Sequence, residues 1–322
     1  MSNYMLSGGA GFIGSHVAEL LLAEGHSVHC VDNLSDFYSP VLKRWRLDQL
    51  TSSRRFYFHE ADIEDTDRFQ DLVEGMGPLD GVIHLAARAG VRPSVQNPRA
   101  WFNTNLMGTL NVLDVCRTLG IPKLVAASSS SVYGDRNPMP YREDANTDRP
   151  LSPYAASKKA AEELCFTYHH LYGLDVSLLR FFTVYGPAGR PDMSVFRFVR
   201  AIVEGQPLTL LGDGLQVRDF SFVRDIARGV VAALRPTGFR VFNLGANCPV
   251  KLNDVIGTIE KLACQKAIIR RRPADPTDVS ATWADVSRAC DELDWEPSVD
   301  LDEGICGALK WYLTNRAWAC NI

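Results

Sequence analysis

Short apolar runs recur along the first half of the chain, and each of them stops at a polar or small residue. They cover residues 4–7, 28–31, 55–58, 81–85 and 123–127. Between them, apolar positions repeat at helical spacing, most clearly over 15–24, 67–74 and 105–119. Strands that alternate with helices predict an α/β protein with a doubly wound parallel sheet. Ligands bind such sheets at the carboxyl ends of the strands, so the polar residues found there are candidates for a site.

The pattern changes after a further apolar run at 176–179. Gly186, Pro187, Gly189, Pro191 and Gly212 break the following chain into short pieces, which is typical of loops that hold a ligand. We therefore predict a first domain over residues 1–179 and a smaller C-terminal α/β lobe over 180–322. A segment near 217–245 is expected to return to the first domain.

Composition excludes several classes of function. A net charge of -4 and a pI near 6.0 provide no basic field for nucleic acid. The eight cysteines contain no CxxC pair, so neither a zinc site nor a disulfide framework is expected. No apolar stretch reaches membrane-spanning length and no signal-peptide pattern precedes the first strand, which makes the cytoplasm the expected location.

The first loop carries Gly8-x-x-Gly11-x-x-Gly14 between a predicted strand and a predicted helix. In this context the glycines permit a tight turn and a close approach of the backbone to a pyrophosphate, so a Rossmann-type dinucleotide site is predicted. Asp32 lies 18 positions beyond Gly14 and ends the second strand. Its carboxylate would accept bonds from a ribose and repel a 2′-phosphate, which favours NAD over NADP; a helix cap is the alternative. Asp62 and Ile63 either contact adenine or form a turn.

Tyr154 and Lys158 lie one helical turn apart, so their side chains share a helix face. The pKa of a free tyrosine is about 10, and a nearby ammonium is needed before its phenolate can act as a base. Residues 128–131 are four serines at the end of a predicted strand, where their hydroxyls could meet a sugar. An exposed tyrosine and a polar loop are the ordinary interpretations of these two patterns.

Taken together, the glycine turn, the serine run before Val132-Tyr133-Gly134 and the Tyr154–Lys158 pair resemble extended short-chain dehydrogenases that modify nucleotide sugars. Residues 84–92, 180–187 and 189–193 more narrowly resemble UDP-glucuronate 4-epimerases. The resemblance implies that Tyr154 takes the proton of the sugar 4-hydroxyl while hydride passes to NAD, and that Ser129 bonds the same oxygen. It also implies further cofactor contacts from Phe12, Ile13, Asn33, Leu85, Ala86, Ala87, Asn105 and Lys158.

Specificity is expected to lie in the serines. The family's 4,6-dehydratases carry an acidic pair where this chain has Ser130 and Ser131, and the UDP-glucuronate decarboxylases generally carry a glutamate at the latter position. We therefore expect Ser130, Ser131 and Thr183 to hold a sugar carboxylate; Thr183 stands where related epimerases and decarboxylases commonly carry asparagine, and a β-branched strand residue is its ordinary interpretation. The resemblance adds Arg88, Arg190, Arg218 and Asp278 as substrate contacts, leaving open which arginine of 270–272 reaches the nucleotide.

Three alternative functions remain compatible with the sequence. A UDP-glucose/UDP-galactose 4-epimerase would share the same Tyr154–Lys158 pair, a UDP-glucuronate decarboxylase is disfavoured by Ser131, and a regulator that only binds NAD is disfavoured by the intact pair. A homodimer built on the helices near 105–119 and 155–171 is expected from the resemblance. His84 lies in a buried strand, and we assign it no catalytic role.

Overall fold

A computed structural model describes residues 1–275 and 279–322 of the chain. Its strands are β1 (Asn3–Ser7), β2 (Ser27–Asp32), β3 (Phe56–Glu60), β4 (Gly81–His84), β5 (Lys123–Ser129), β6 (Asp175–Phe181), β7 (Thr183–Tyr185), β8 (Pro207–Leu211), β9 (Val217–Phe222), β10 (Phe239–Leu244), β11 (Pro249–Lys251) and β12 (Ile268–Arg272).

The α-helices of these residues are α1 (Phe12–Ala23), α2 (Pro40–Asp48), α3 (Thr66–Glu74), α4 (Val91–Gln96), α5 (Pro98–Phe102), α6 (Gly108–Thr118), α7 (Pro153–Tyr172), α8 (Ser194–Val203), α9 (Val223–Ala232), α10 (Leu252–Ala263), α11 (Ser287–Leu293), α12 (Leu301–Thr314) and α13 (Arg316–Ala319). A π-helical turn, Asn103–Met107, precedes α6, and a 3₁₀ turn, Ser130–Tyr133, follows β5.

Seven parallel strands form the central sheet in the order β10-β6-β5-β4-β1-β2-β3. Helices cover both faces, and the strands therefore read as nearly continuous apolar runs, with Val28, Cys30 and Val31 of β2 fully buried. The strand order reverses between β1 and β4. This reversal opens a crevice at the carboxyl ends of the strands, where doubly wound sheets bind ligands. The predicted fold class is confirmed.

Two small sheets lie outside the central one. β7 pairs with β9 and β9 with β11, while β12 pairs with β8. They pack with α8, α10 and α12 around an apolar cluster that includes Phe196, Phe222, Ile256 and Tyr312. β10 joins the central sheet beside β6, whereas the division of the chain into two domains at residue 179 stays a prediction.

The sequence pattern misplaced some boundaries. β5 does not end before Ser128, since Ser128 and Ser129 still pair with Arg180 and Phe181 of β6. Pairing between β5 and β6 continues as far as β6 extends, to Phe181, even though Ser128 and Ser129 are polar. The predicted helix over 105–119 begins as a π-helical turn, and α2, α4 and α5 were not predicted from the apolar pattern.

Candidate active site

The glycine turn joins β1 to α1 at the crevice. Gly8 has φ +76°, and a Cβ there would come within 2.6 Å of the Ala86 backbone nitrogen. A Cβ on Gly14 would lie 2.3 Å from the Gly8 carbonyl oxygen. These positions therefore require glycine, and the turn leaves the N-terminus of α1, beginning at Phe12, open toward the cavity.

Asp32 ends β2 beside this turn and is buried. Its carboxylate accepts hydrogen bonds from the backbone nitrogens of Ala10 at 3.2 Å and Leu34 at 2.9 Å, and Lys43 Nζ lies 3.6 Å away. Next to it, Asn33 donates to Asp62 Oδ2 at 2.8 Å. These residues line a cavity of about 100 Å³ together with Ile63, Leu85, Ala86 and Ala87.

The larger cavity, of about 410 Å³, runs from the glycine turn to the end of β5. Its wall includes Gly8, Gly11, Phe12, Ile13, Gly14, Leu85 and Ala87 on one side and Ser129, Ser130, Ser131, Tyr154, Lys158, Thr183, Arg190 and Arg218 on the other. The two cavities share Gly8, Gly11, Leu85 and Ala87, so they form one continuous cleft. The cleft connects Asp32, where the sequence predicts a ribose, to the glycine turn, where it predicts a pyrophosphate.

α7 presents Tyr154 and Lys158 to the cavity. The Ser152 hydroxyl caps the helix by accepting from Ala155 N at 3.1 Å, Pro153 occupies its first turn, and Gly173 ends it in a left-handed conformation. Burial raises the pKa of Tyr154, and a hydrogen bond with Ser129 and the positive charge of Arg190 oppose that rise. The predicted Ser, Tyr and Lys set is therefore brought together in one wall.

Lys158 is buried, and its Nζ donates to the Ala127 carbonyl at 3.0 Å. Burial lowers the pKa of Lys158 to about 8, against the opposing influence of Cys165 and Glu162. The ammonium is thus held at the end of β5 and is poised to lose its proton in mildly alkaline solution. The charge that opposes the raised pKa of Tyr154 is that of Arg190.

Three hydroxyls face the cavity beside this set, on Ser130, Ser131 and Thr183. Each is half-buried, and none of them hydrogen-bonds through its side chain to another residue among 1–275 and 279–322. Ser128 differs, since its Oγ donates to Glu162 Oε1 at 2.6 Å and is occupied within the protein. Only the last three serines of the run therefore remain candidates to meet a ligand.

The three predicted substrate arginines, Arg190, Arg218 and Arg88, differ in their partners and in which cavity they line. Arg190 bonds Asp192 at 2.6 Å and lies over the Phe37 and Tyr38 rings. Arg218 donates to the Val279 carbonyl at 2.7 Å, which fixes its fork at the cavity wall. Arg88 does not reach the large cavity wall; it lines the smaller cavity and donates to Thr104 at 3.1 Å.

Asn105 lies behind the cleft wall. Its Oδ1 accepts from Arg88 N at 2.8 Å, and its Nδ2 donates to the Arg88 carbonyl and to Ser157 Oγ, both at 3.0 Å. Both amide hydrogens are therefore used within the protein. Asn105 thus connects the loop after β4 to α7 by hydrogen bonds. The predicted contact of Asn105 with the cofactor stays a prediction.

Two further predictions concern the neighbourhood of the site. Asp278 lies outside the described residues, and Arg270, Arg271 and Arg272 are exposed on β12. His84 is buried between Ser7 Oγ at 2.7 Å and Thr109 Oγ1 at 3.0 Å, and burial lowers its pKa to about 3. It is a neutral core histidine, as predicted.

Sequence reasoning missed a buried ion pair beneath the serines. Arg180 donates to Glu162 through Nε and Nη2, each at 2.8 Å, and Nη1 donates to the Tyr133 hydroxyl at 3.0 Å. Glu162 follows Lys158 by one helical turn, and that spacing was the available signal. The pair anchors Ser128, and so fixes the strand end that carries Ser129.

Among the described residues, no helix has both the length and the apolar character needed to cross a bilayer.

Comparisons with known proteins identify similar chains over nearly the whole length. A family model described as GDP-mannose 4,6 dehydratase matches residues 5–307. The UDP-glucuronate 4-epimerase of Thermodesulfobacterium geofontis is 48% identical, over 98% of this chain and 97% of the relative. UDP-glucuronate 4-epimerase 3 of Arabidopsis thaliana is 41% identical, over 96% of this chain and 76% of the relative.

Solved structures agree with these matches. The UDP-glucuronic acid 4-epimerase of Bacillus cereus, solved with UDP-glucuronic acid and NAD, is 34% identical with a TM-score of 0.91, covering 97% of this chain and 99% of that one. The UDP-glucose 4-epimerase of Thermotoga maritima, solved with UDP-glucose, is 30% identical with a TM-score of 0.90, covering 98% and 99%.

Proposed function

This chain belongs to the GDP-mannose 4,6 dehydratase family, and we propose that within this family it is an NAD-dependent enzyme that inverts C4 of UDP-glucuronate to give UDP-galacturonate. One observation carries the proposal: Tyr154 and Lys158 line the same cavity as the hydroxyls of Ser130, Ser131 and Thr183. The first pair suits proton transfer, and the hydroxyls suit a carboxylate. The relatives from Thermodesulfobacterium geofontis and Bacillus cereus support it.

NAD is held by the glycine turn and by Asp32 in this proposal. Gly8, Gly11 and Gly14 let the backbone approach the pyrophosphate, Asp32 receives a ribose, and Asp62 and Ile63 border the adenine end. Bound NAD supplies a hydride acceptor that also returns the hydride. Asp32 disfavours a 2′-phosphate at this place, which is why NAD is preferred to NADP.

The proton of the sugar 4-hydroxyl passes to Tyr154. In the phenolate form Tyr154 accepts this proton, Ser129 bonds the same sugar oxygen, and Lys158 stabilises the phenolate by its charge. The protonated Tyr154 later returns a proton to the oxygen of the 4-keto sugar. Inversion requires the ring to present its opposite face before the second transfer, so the cavity must release the ring while the nucleotide stays bound.

The carboxylate needs restraint during this reaction. A glucuronate that is oxidised at C4 is a β-keto acid, which loses carbon dioxide when its carboxylate bond turns perpendicular to the carbonyl plane. Ser130, Ser131 and Thr183 supply neutral hydrogen bonds that hold the carboxylate against this rotation. The absence of a carboxyl group at Ser130 and Ser131 removes the acid or base that dehydration would need.

The nucleotide is assigned to the arginine side of the cavity. Arg218, with its planar fork fixed by a backbone carbonyl, suits the UDP pyrophosphate, and Arg190 is a second contact. The expected contributions of Arg88, of Asp278 and of one arginine in 270–272 stay predictions. Arg88 lies nearer to the adenosine end than to the sugar.

We also propose a cytoplasmic location for the protein. We propose further that it forms a homodimer. α6 and α7 pack side by side. Met107, just before α6, is 48% exposed, and Phe166 and Tyr172 of α7 are 49% and 53% exposed. Exposed apolar side chains on neighbouring helices favour an interface between copies. Sedimentation of the purified protein tests this, and a monomer at micromolar concentration would contradict it.

The function is tested by product analysis. The purified protein is incubated with UDP-glucuronate, without a reductant or oxidant, and the nucleotide sugars are resolved by NMR. UDP-galacturonate should form as the main product. UDP-xylose as the main product would identify a decarboxylase, and turnover of UDP-glucose alone would identify a UDP-glucose 4-epimerase; either result would overturn the proposal.

A further inference from the structure

Arg46 of α2 is a fully buried arginine that touches both sides of the cleft. Its Nη1 donates to the Ala10 carbonyl in the glycine turn at 3.1 Å and to the Tyr38 hydroxyl at 2.7 Å. Its Nε and Nη2 donate to the Ala188 carbonyl at 3.2 and 2.7 Å. One guanidinium therefore joins the turn that meets the cofactor to the loop that carries Arg190.

The charge of Arg46 has an unusual environment. Among residues 1–275 and 279–322, its hydrogen bonds go to carbonyls and a hydroxyl, and it forms no ion pair with a carboxylate. The other deeply buried arginine, Arg180, is neutralised by Glu162. A buried cation without a counter-ion is unfavourable, and an anion that binds nearby relieves this. The guanidinium lies 5.9 Å from the ring centroid of Phe12, the first residue of α1.

The loop that Arg46 holds is itself constrained. Ala188 has φ 53°, a left-handed conformation that is uncommon outside glycine, and its carbonyl is the one that accepts two bonds from Arg46. Arg190 follows two residues later and lies over the Tyr38 ring. The neighbouring Trp45 packs on Trp311 of α12 and Trp318 of α13, so α2 also contacts the C-terminal helices.

We infer that Arg46 is a positioning residue that couples the two ligands. A dinucleotide pyrophosphate at the glycine turn supplies the negative charge that Arg46 lacks, and Arg46 in turn holds residues 186–190 in the conformation that presents Arg190 to the nucleotide sugar. The inference rests on the proposed function only in that the ligands are NAD and a uridine diphosphate. Cofactor binding should then tighten the binding of UDP.

The test measures binding and loop dynamics without turnover. UDP affinity is determined by calorimetry on nucleotide-free and NAD-loaded protein, and hydrogen exchange is followed over residues 186–193. In the unmodified protein, NAD should tighten UDP binding by about fivefold or more and slow exchange in this loop. In Arg46→Lys, whose ammonium lacks the fork needed to bridge Ala10 and Ala188, the tightening should fall below about twofold.

Arg44→Lys is the matched control, since Arg44 is exposed on the same helix, and it should keep the full coupling. Tyr38→Phe, which removes one acceptor of Arg46, should weaken the coupling partly and serves if Arg46→Lys fails to fold. Independent binding of NAD and UDP in the unmodified protein would overturn the inference, as would a folded Arg46→Lys protein with unchanged coupling, or unchanged coupling in Tyr38→Phe. Product analysis on the unmodified protein reports separately on the proposed function.

Discussion

Two parts of the cleft differ in whether their polar side chains already have hydrogen-bond partners within the protein. We call the part around Asp32 and the glycine turn the cofactor half, and the part around Ser130, Ser131 and Thr183 the sugar half. On the cofactor side, the carboxylate of Asp32 accepts two backbone hydrogen bonds and Asn33 donates to Asp62. On the sugar side, the hydroxyls of Ser130, Ser131 and Thr183 have no side-chain hydrogen bond to the part of the chain that the structure describes.

This difference separates two tasks. Groups that are already oriented by internal bonds lose little freedom when a ligand binds, which suits a cofactor that stays in place through the reaction. Hydroxyls without a fixed partner can rotate to meet a carboxylate in either of two ring orientations, which suits a sugar that must turn. Under the proposed function, retention of the cofactor is therefore assigned to the cofactor half and choice of substrate to the sugar half.

The largest expected effect lies where the halves meet. Tyr154→Phe removes the group that exchanges the proton, and kcat should fall by roughly 10²–10⁴-fold. The affinities for NAD and UDP should stay near those of the unmodified protein because the substitution removes only the phenol oxygen. Steady-state rates and calorimetry check both parts, and turnover at an unchanged rate would contradict the assigned mechanism.

Gly14→Ala should break the cofactor half alone. Its Cβ would lie 2.3 Å from the Gly8 carbonyl oxygen and 2.8 Å from Gly9 Cα, both of them backbone atoms that cannot easily move. We expect the free energy of unfolding to fall by roughly 1–3 kcal/mol and the NAD content of the purified protein to drop. Urea unfolding and nucleotide extraction measure these.

Gly257→Ala in α10 is the control for that substitution, because a Cβ there meets no atom of the described residues within 4 Å. It should stabilise the protein by about 0.5–1 kcal/mol and leave the NAD content unchanged. Equal NAD loss in both variants would show that the glycine turn has no special role in retention.

Thr183→Ala should alter the sugar half alone. A hydrogen bond to a charged group contributes about 1.5–3 kcal/mol, so the KM for UDP-glucuronate should rise about tenfold or more. Some UDP-pentose should appear, because the carboxylate can then rotate. UDP-glucose, which lacks a carboxylate, serves as the control substrate; unchanged KM and no UDP-pentose would remove Thr183 from the clamp.

The effect that is smallest near neutral pH concerns acid stability, and it belongs to the cofactor half. Burial lowers the pKa of His84 to about 3 and that of His16 to about 4, from an unfolded value of 6.5. Between the folded pKa of each histidine and its unfolded pKa of 6.5, the unfolded chain binds a proton that the folded chain does not. The free energy of unfolding therefore falls as the pH drops below 6.5. Each histidine should contribute about 1.4 kcal/mol per pH unit there.

His84→Gln should reduce this slope by about one proton's worth, as measured by urea unfolding at several pH values. His170→Gln, an exposed histidine on α7, should leave the slope unchanged. Equal slopes in all three proteins would show that His84 is protonated in the folded state.

Local sequence patterns are more informative about the cofactor half than about the sugar half. The glycine spacing and Asp32 follow local patterns, because a strand, a turn and a helix are contiguous in the chain. Arg46 could not be found that way, since its acceptor Ala188 lies 142 positions further along the chain. For Arg180, local spacing places Glu162 on the helix face of Lys158 but does not show that Arg180 of β6 is its partner. Ser128 was grouped with the other serines, and only the structure shows that Glu162 occupies its hydroxyl.

A competition experiment tests most directly whether the sugar half selects an acidic sugar. UDP-glucuronate and UDP-glucose are mixed in equal amounts with the purified protein, and the initial rates of formation of UDP-galacturonate and UDP-galactose are compared in the same tube. We expect a preference for UDP-glucuronate of about tenfold or more, because one hydrogen bond to the charged carboxylate contributes this much. Equal rates, or a preference for UDP-glucose, would contradict it.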